Sequence, residues 1–146
     1  MKISAKTRYG LRILLDIALH GSDKPRTIRD IAASQQISEK FISPLVVTLR
    51  RAGMLRSIRG VAGGLQLDKD PQLISLLDIS DAMDGEIFLL GCLKDPASCP
   101  RRNRCVTALV WNDVNESLRE KLRSITLQSI IDQYVRGKLN EQTYSI

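Results

Sequence analysis

The chain has 146 residues, 43% of them hydrophobic and 26% charged, and a formal net charge of +6. These totals fit one compact soluble domain with an appended dimerisation element. They exclude a membrane-spanning protein, since no apolar run is long enough, and the opening Met-Lys-Ile-Ser-Ala-Lys-Thr-Arg-Tyr lacks a signal peptide's apolar core. The expected location is the cytoplasm, where thiols stay reduced and available to metal.

Charge distribution says more than its sum. Residues 1–69 carry 13 Lys and Arg against five Asp and Glu, whereas residues 70–146 carry nine against 11. The basic half is a candidate for nucleic acid and the other half for a different task. With His20 the single histidine, no nucleophile–base constellation and no phosphate-cradle motif, the chain does not read as an enzyme.

Residues 5–20 predict an amphipathic helix with Tyr9, Leu11, Ile13, Leu14, Ile17 and Ala18 on its apolar face and Gly21 as its stop. A turn over Gly21–Pro25 follows. Thr27 caps a short helix with Asp30 as the capping-box acid, turning Ile28, Ile31 and Ala32 inward. After a tight connection at Gln35-Gln36-Ile37, Ser38 starts a helix that runs to about Arg51. Phe41, Ile42, Leu45, Val46 and Leu49 form its buried side and Gly53 ends it. This is helix-turn-helix spacing. Leu55-Arg56-Ser57-Ile58-Arg59 then alternates as a strand, Gly60–Gly64 make a flexible tip and Leu65-Gln66-Leu67 returns. The result is a β-hairpin wing with Arg56 and Arg59 outward. Its glycines allow close backbone approach to phosphate, and its arginines suit phosphate or a narrow minor groove.

Ser38, Lys40, Phe41, Ser43 and Pro44 stand at the start of the recognition helix, where side chains reach base edges. Lys40 suits guanine, and Phe41 or Pro44 a thymine methyl. Arg50, Arg51, Arg59, Gly60, Lys2 and Lys6 are the phosphate or minor-groove candidates. A protein-binding adaptor is the rival reading of this half; DNA affinity that falls steeply with salt separates the two.

Ser75 caps a further helix carrying Leu76, Leu77, Ile79, Ala82 and Met83, closed by Gly85. Every cysteine of the chain lies between Cys92 and Cys105, spaced Cys-x6-Cys-x5-Cys, with Pro96 and Pro100 keeping the segment out of regular helix. An odd count leaves a thiol over from any disulfide framework, and three thiols on a short loop can converge on one soft metal centre. Spacing alone leaves an iron–sulfur cluster, zinc and a thiol–disulfide switch open. Next comes a long helix from about Arg104 to Ile125, with Cys105 at its N-terminal turn, where the macrodipole favours thiolate. Its stripe of Val106, Leu109, Val110, Val114, Leu118, Leu122 and Ile125 needs a second surface. A symmetry mate supplies one most economically, and packing back on its own domain is the competitor. Residues 126–139 read as one more helix, and from Asn140 the chain reads as a frayed tail.

Taken together, these residues resemble the Rrf-two family of bacterial winged-helix regulators, over Met1 to about Tyr134. Lys2 to Gly10 is similar to the family's opening helix, and Ile37-Ser38 through Leu49-Arg50-Arg51-Ala52-Gly53 to its recognition helix. Ser57-Ile58-Arg59-Gly60 with Gly63-Gly64 resembles its wing. Cys105 followed by Ala108-Leu109 and Trp111 looks like its dimerisation helix, and three cysteines ahead of that helix mark its cluster-binding, IscR-like branch. The resemblance implies a mainly α fold with a small β-hairpin wing. It divides the chain into a winged helix-turn-helix domain (1–85), a cysteine loop (86–104), a dimerisation helix with a last helix (105–139) and a tail (140–146). It implies a homodimer on double-stranded DNA with an imperfect inverted repeat, acting as a repressor under control of an iron–sulfur cluster, two-iron or four-iron, on Cys92, Cys99 and Cys105. The pattern departs at the fourth ligand: Ala108, Arg8 and Arg12 stand where members of the family place a histidine or an acid, and His20 lies too far along its helix to replace them. Glu86, Asp95, solvent, a small thiol and the partner chain are the remaining donors.

Overall fold

The helix α1 (Ala5–His20) starts where the Ser4 side chain accepts from the Thr7 N–H, and it stops where the Gly21 N–H turns back to the Ile17 carbonyl. Its Ile13, Leu14 and Ile17 are fully buried and make it the central strut. On it pack α2 (Ile28–Gln35), α3 (Glu39–Arg51), α4 (Leu76–Asp84) and α7 (Leu127–Tyr144). The computed structural model describes residues 2–21 and 23–144, with side chains through Lys138. Ser22 of the expected turn, and Ser145 and Ile146 of the expected tail, lie outside the described residues.

The local signals do what their chemistry requires. Thr27 and Asp30 close a capping box at α2, Ser75 and Asp78 close another at α4, and Ser38 accepts from the Phe41 N–H at the start of α3. Gln36 takes the left-handed conformation, φ 55°, that turns α2 into α3. Ile42, Leu45, Val46 and Leu49 bury the inner face of α3 against α1. Each such side chain contributes about 1.5–3 kcal/mol by leaving water.

The wing is β1 (Leu55–Ile58) paired antiparallel with β2 (Gly64–Leu67), with Leu55 opposite Leu67 and Ile58 opposite Gly64. Arg59 falls outside the strand and belongs to the tip. Arg26 adds a one-residue rung to β2: its N–H reaches the Leu65 carbonyl at 3.0 Å, and the Leu65 N–H reaches its carbonyl at 2.7 Å. A Cβ on Gly64, φ 158°, would stand 2.8 Å from the Arg26 carbonyl oxygen, and Gly60 turns the tip at φ 109°. The hairpin's own geometry thus calls for glycine at both positions.

Between α4 and the long helix α6 (Val106–Ser124) runs the cysteine segment. It is made of a single helical turn, α5 (Gly91–Lys94), and 3-10 turns at Pro96–Ser98 and Arg102–Arg104. The α6–α7 junction is stitched to the start of α4 by Leu76 N–H to Ile125 carbonyl and Leu127 N–H to Ile74 carbonyl, both 2.8 Å. Leu127, fully buried, joins the same core as Ile13 and Leu49. So α7 returns onto the helix-turn-helix half, and its backbone stays helical to Tyr144, past the point where fraying was expected. No helix among the described residues is long and apolar enough to cross a membrane.

Candidate nucleic-acid interface and cysteine segment

One face of α3 is left to solvent. Lys40, Pro44, Val47, Arg50 and Arg51 are exposed on it and Ser43 is half-buried beside them. A groove between this face and the wing is lined by Val47, Arg50, Arg51, Arg56, Ser57 and Arg59, so the structure gathers four guanidinium groups along one channel. Ser38 is occupied as the cap of α3, although its position is exposed. Phe41 is held edge-on against Tyr9, ring centroids 5.2 Å apart, and serves the packing of α3 on α1. Ser43 donates its hydroxyl to the Glu39 carbonyl at 2.7 Å. Lys2, grouped like Lys6 with the phosphate candidates by sequence, precedes α1, and Lys6 lies in its first turn, one turn before the Tyr9 that packs on Phe41. Lys2 lines a separate groove with Asp84 and Glu86, and Lys6 lies close enough to help hold the Asp84 carboxyl below its ordinary pKa. Gly60 stands exposed at the wing tip.

The reading head is tied together by a carboxylate that sequence reasoning missed. Asp16, 2% exposed on α1, accepts from Arg26 Nε at 2.9 Å, from Gln35 Nε2 at 3.0 Å and from the Ser34 hydroxyl. One side chain thus joins α1, α2 and, through Arg26, the wing strand. Burial alone would raise its pKa, but those hydrogen bonds and the Arg26 charge win and hold it below the usual aspartate value. Periodicity carried a faint signal, because an aspartate sat on the apolar face of α1.

Cys92 lies in α5, Cys99 follows the turn at Pro96–Ser98, and Cys105 occupies the N-cap position of α6; all are free thiols and half-buried. The structure does not bring them into one cage: among the described residues, no group of three or more His, Cys, Asp or Glu is placed to share a metal ion. The Cys105 thiol is held below its ordinary pKa, chiefly by the Thr107 hydroxyl 3.2 Å away and then by the Ala108 N–H. Asp95 spends an oxygen on the Ala97 N–H at 3.1 Å. Ala108 is buried, Arg12 grips Gln35 at 2.8 Å, and the His20 Nδ1 sits 3.0 Å from the Asp16 carbonyl.

The entry to the cysteine segment is tied to α6. Asn115, 1% exposed, accepts the Leu89 N–H at 2.8 Å through Oδ1. One turn on, Arg119 faces Asp81 at 3.5 Å and Glu86 at 3.8 Å, and burial raises the Asp81 pKa. We expect Asn115→Ala to cost about 1–3 kcal/mol in urea unfolding, because it strands a backbone donor. Amide exchange at Leu89 is expected to rise more than exchange within α1–α3. Unchanged protection at Leu89 would contradict this role. The expected apolar stripe of α6 is open along its first half and partly covered along its second: Val106, Leu109, Val110 and Val114 are exposed, joined by Trp111, while Leu118, Leu122 and Ile125 are half-buried.

A family model described as iron-dependent transcriptional regulator, Rrf2, matches residues 3–133. The chain is 37% identical to the protein rrf2 of Nitratidesulfovibrio vulgaris, over 90% of this chain and 87% of that one. Among solved structures, CymR, the global cysteine regulator of B. subtilis, superposes with a TM-score of 0.74 at 33% identity, covering 91% of this chain and 98% of that one. T. potens IscR superposes at 0.72 and 31% identity, covering 92% and 88%. The match spans the reading head, the cysteine segment and α6 alike, and from it we conclude that this chain belongs to the Rrf2 family of winged-helix transcriptional regulators.

Proposed function

We propose that this regulator binds duplex DNA as a homodimer, with α3 in the major groove and the wing on the backbone, and that an iron–sulfur cluster on Cys92, Cys99 and Cys105 controls the grip. The observation that carries the control half is the concentration of all three thiols, unbonded to one another, in the segment between the reading head and α6. The donor chemistry fits a soft iron centre, and Cys105 already favours thiolate. Loading then requires the short turns of residues 91–104 to rearrange, since the thiols stand apart without it. A cluster held by Cys92, Cys99 and Cys105 would supply redox and ligand-exchange chemistry, and with Ala108, Arg8 and Arg12 at the fourth-donor positions it would be open to oxygen, nitric oxide or chelators. Residues 1–85 supply the grip, residues 86–104 the sensor and α6 the dimer contact. The exposed Val106, Leu109, Val110, Trp111 and Val114 form the surface a two-fold mate covers. Two-fold protein symmetry calls for an inverted repeat in the DNA.

Anaerobic purification with iron and sulfide counted per dimer tests this. We expect a coloured protein, and we expect replacement of all three cysteines by serine to remove both the iron and the response of DNA affinity to iron, oxygen or nitric oxide. Colourless protein without sulfide overturns the cluster. A second reading, a thiol switch, is favoured by the lowered pKa of Cys105 and by the separation of the thiols. It predicts a disulfide after mild oxidation, visible by mass, with a matching change in DNA affinity.

A further inference from the structure

We infer that Val47 reads the 5-methyl group of thymine, and so sets the base preference at the middle of each half-site. The inference rests on the docking of α3 proposed above. Val47 is 39% exposed and lies at the centre of the outer face of α3. Lys40 and Ser43 stand two turns and one turn before it, Arg50 and Arg51 one turn after, and the buried Leu45 and Leu49 lie on the opposite side. No amide or carboxylate occupies that midpoint. The neighbouring hydroxyls are turned onto their own helix: Ser43 donates to the Glu39 carbonyl at 2.7 Å and Thr48 to the Pro44 carbonyl at 3.1 Å. Phe41 is committed to Tyr9.

A lone exposed valine is unremarkable on a protein surface. This one shares its groove with a second exposed aliphatic, Ile58 of β1, along with Ser43, Arg50 and Ser57. Arg51, Arg56 and Arg59 line the adjoining channel. An apolar patch edged with guanidinium groups calls for a polyanion that carries an apolar group at its surface. Duplex DNA offers one such group in the major groove, the thymine methyl. Ile58, on the wing side, closes the pocket that this methyl enters.

The test uses the full-length protein and an operator enriched from a random duplex library. Each thymine of a half-site is replaced singly by deoxyuridine, which deletes the methyl and nothing else. At one or two adjacent positions we expect the Kd to rise about fourfold, the factor that one methyl's transfer out of water supplies. In Val47→Ala the same replacement is expected to change the Kd by less than about twofold. An operator indifferent to every deoxyuridine, or a loss that persists in Val47→Ala, overturns the inference while leaving the docking intact. Failure to enrich any sequence overturns the docking reading itself.

Discussion

Replacing Asp16 by alanine is expected to destabilise the protein by about 3 kcal/mol in urea unfolding, a drop in Tm of roughly 6–12 °C. The carboxylate is buried on α1 and holds the Arg26 guanidinium, the Gln35 amide and the Ser34 hydroxyl at once. Its removal strands a partly buried charge and two polar groups, and that desolvation cost exceeds the loss of the bonds themselves. Asp16→Asn keeps the volume but not the charge and is expected to cost less. Acid offers a second reading of the same group. Its folded pKa is depressed, so its stabilisation is complete above the ordinary aspartate range and disappears as pH falls through the lower folded value. Wild type is therefore expected to lose stability relative to Asp16→Asn on acidification through that window. Parallel pH–stability curves for the two proteins would refute the assignment.

Arg59→Ala is expected to weaken operator binding at least tenfold, about 1.4 kcal/mol. Arg59 is exposed at the wing tip, just past the strand, and shares its channel with Arg50, Arg51 and Arg56. A phosphate or minor-groove contact from it releases counterions. The slope of log affinity against log salt should therefore fall by roughly one unit in the variant. Folding stability should change little, because the side chain is exposed at the wing tip. Fluorescence anisotropy at several salt concentrations reads both quantities, and an unaltered midpoint would remove Arg59 from the interface.

Much of the reading head is legible along the chain because its signals are local. A capping box needs only residues three apart, as at Thr27 and Asp30, and an amphipathic face needs only helical spacing, as in α3. The wing announces itself through Arg59-Gly60 and the paired glycines, although the reason for Gly64 lies in Arg26, far behind it in sequence. Lys2 and Lys6 count toward a basic half by composition, and the structure adds that Asp84 stands near both at the start of α1. Phe41, at the head of the recognition helix, also packs edge-on against Tyr9, a contact between α3 and α1 that position along the chain does not reveal.

From residue order alone came the helix-turn-helix, its wing, the thiol-bearing segment and the long helix after it, since each depends on neighbours within a few residues. Tertiary structure decided which polar groups became joints. Asn115 resembles any surface asparagine, and Asp16 betrays itself only faintly by its place on the apolar face of α1, until α2, the wing and Leu89 close over them. It also decided which face of α6 stays open: Ala108 and Asn115 are buried, while the valines are left to solvent. Burial is set by what other segments bring to a site, and no local pattern contains that information.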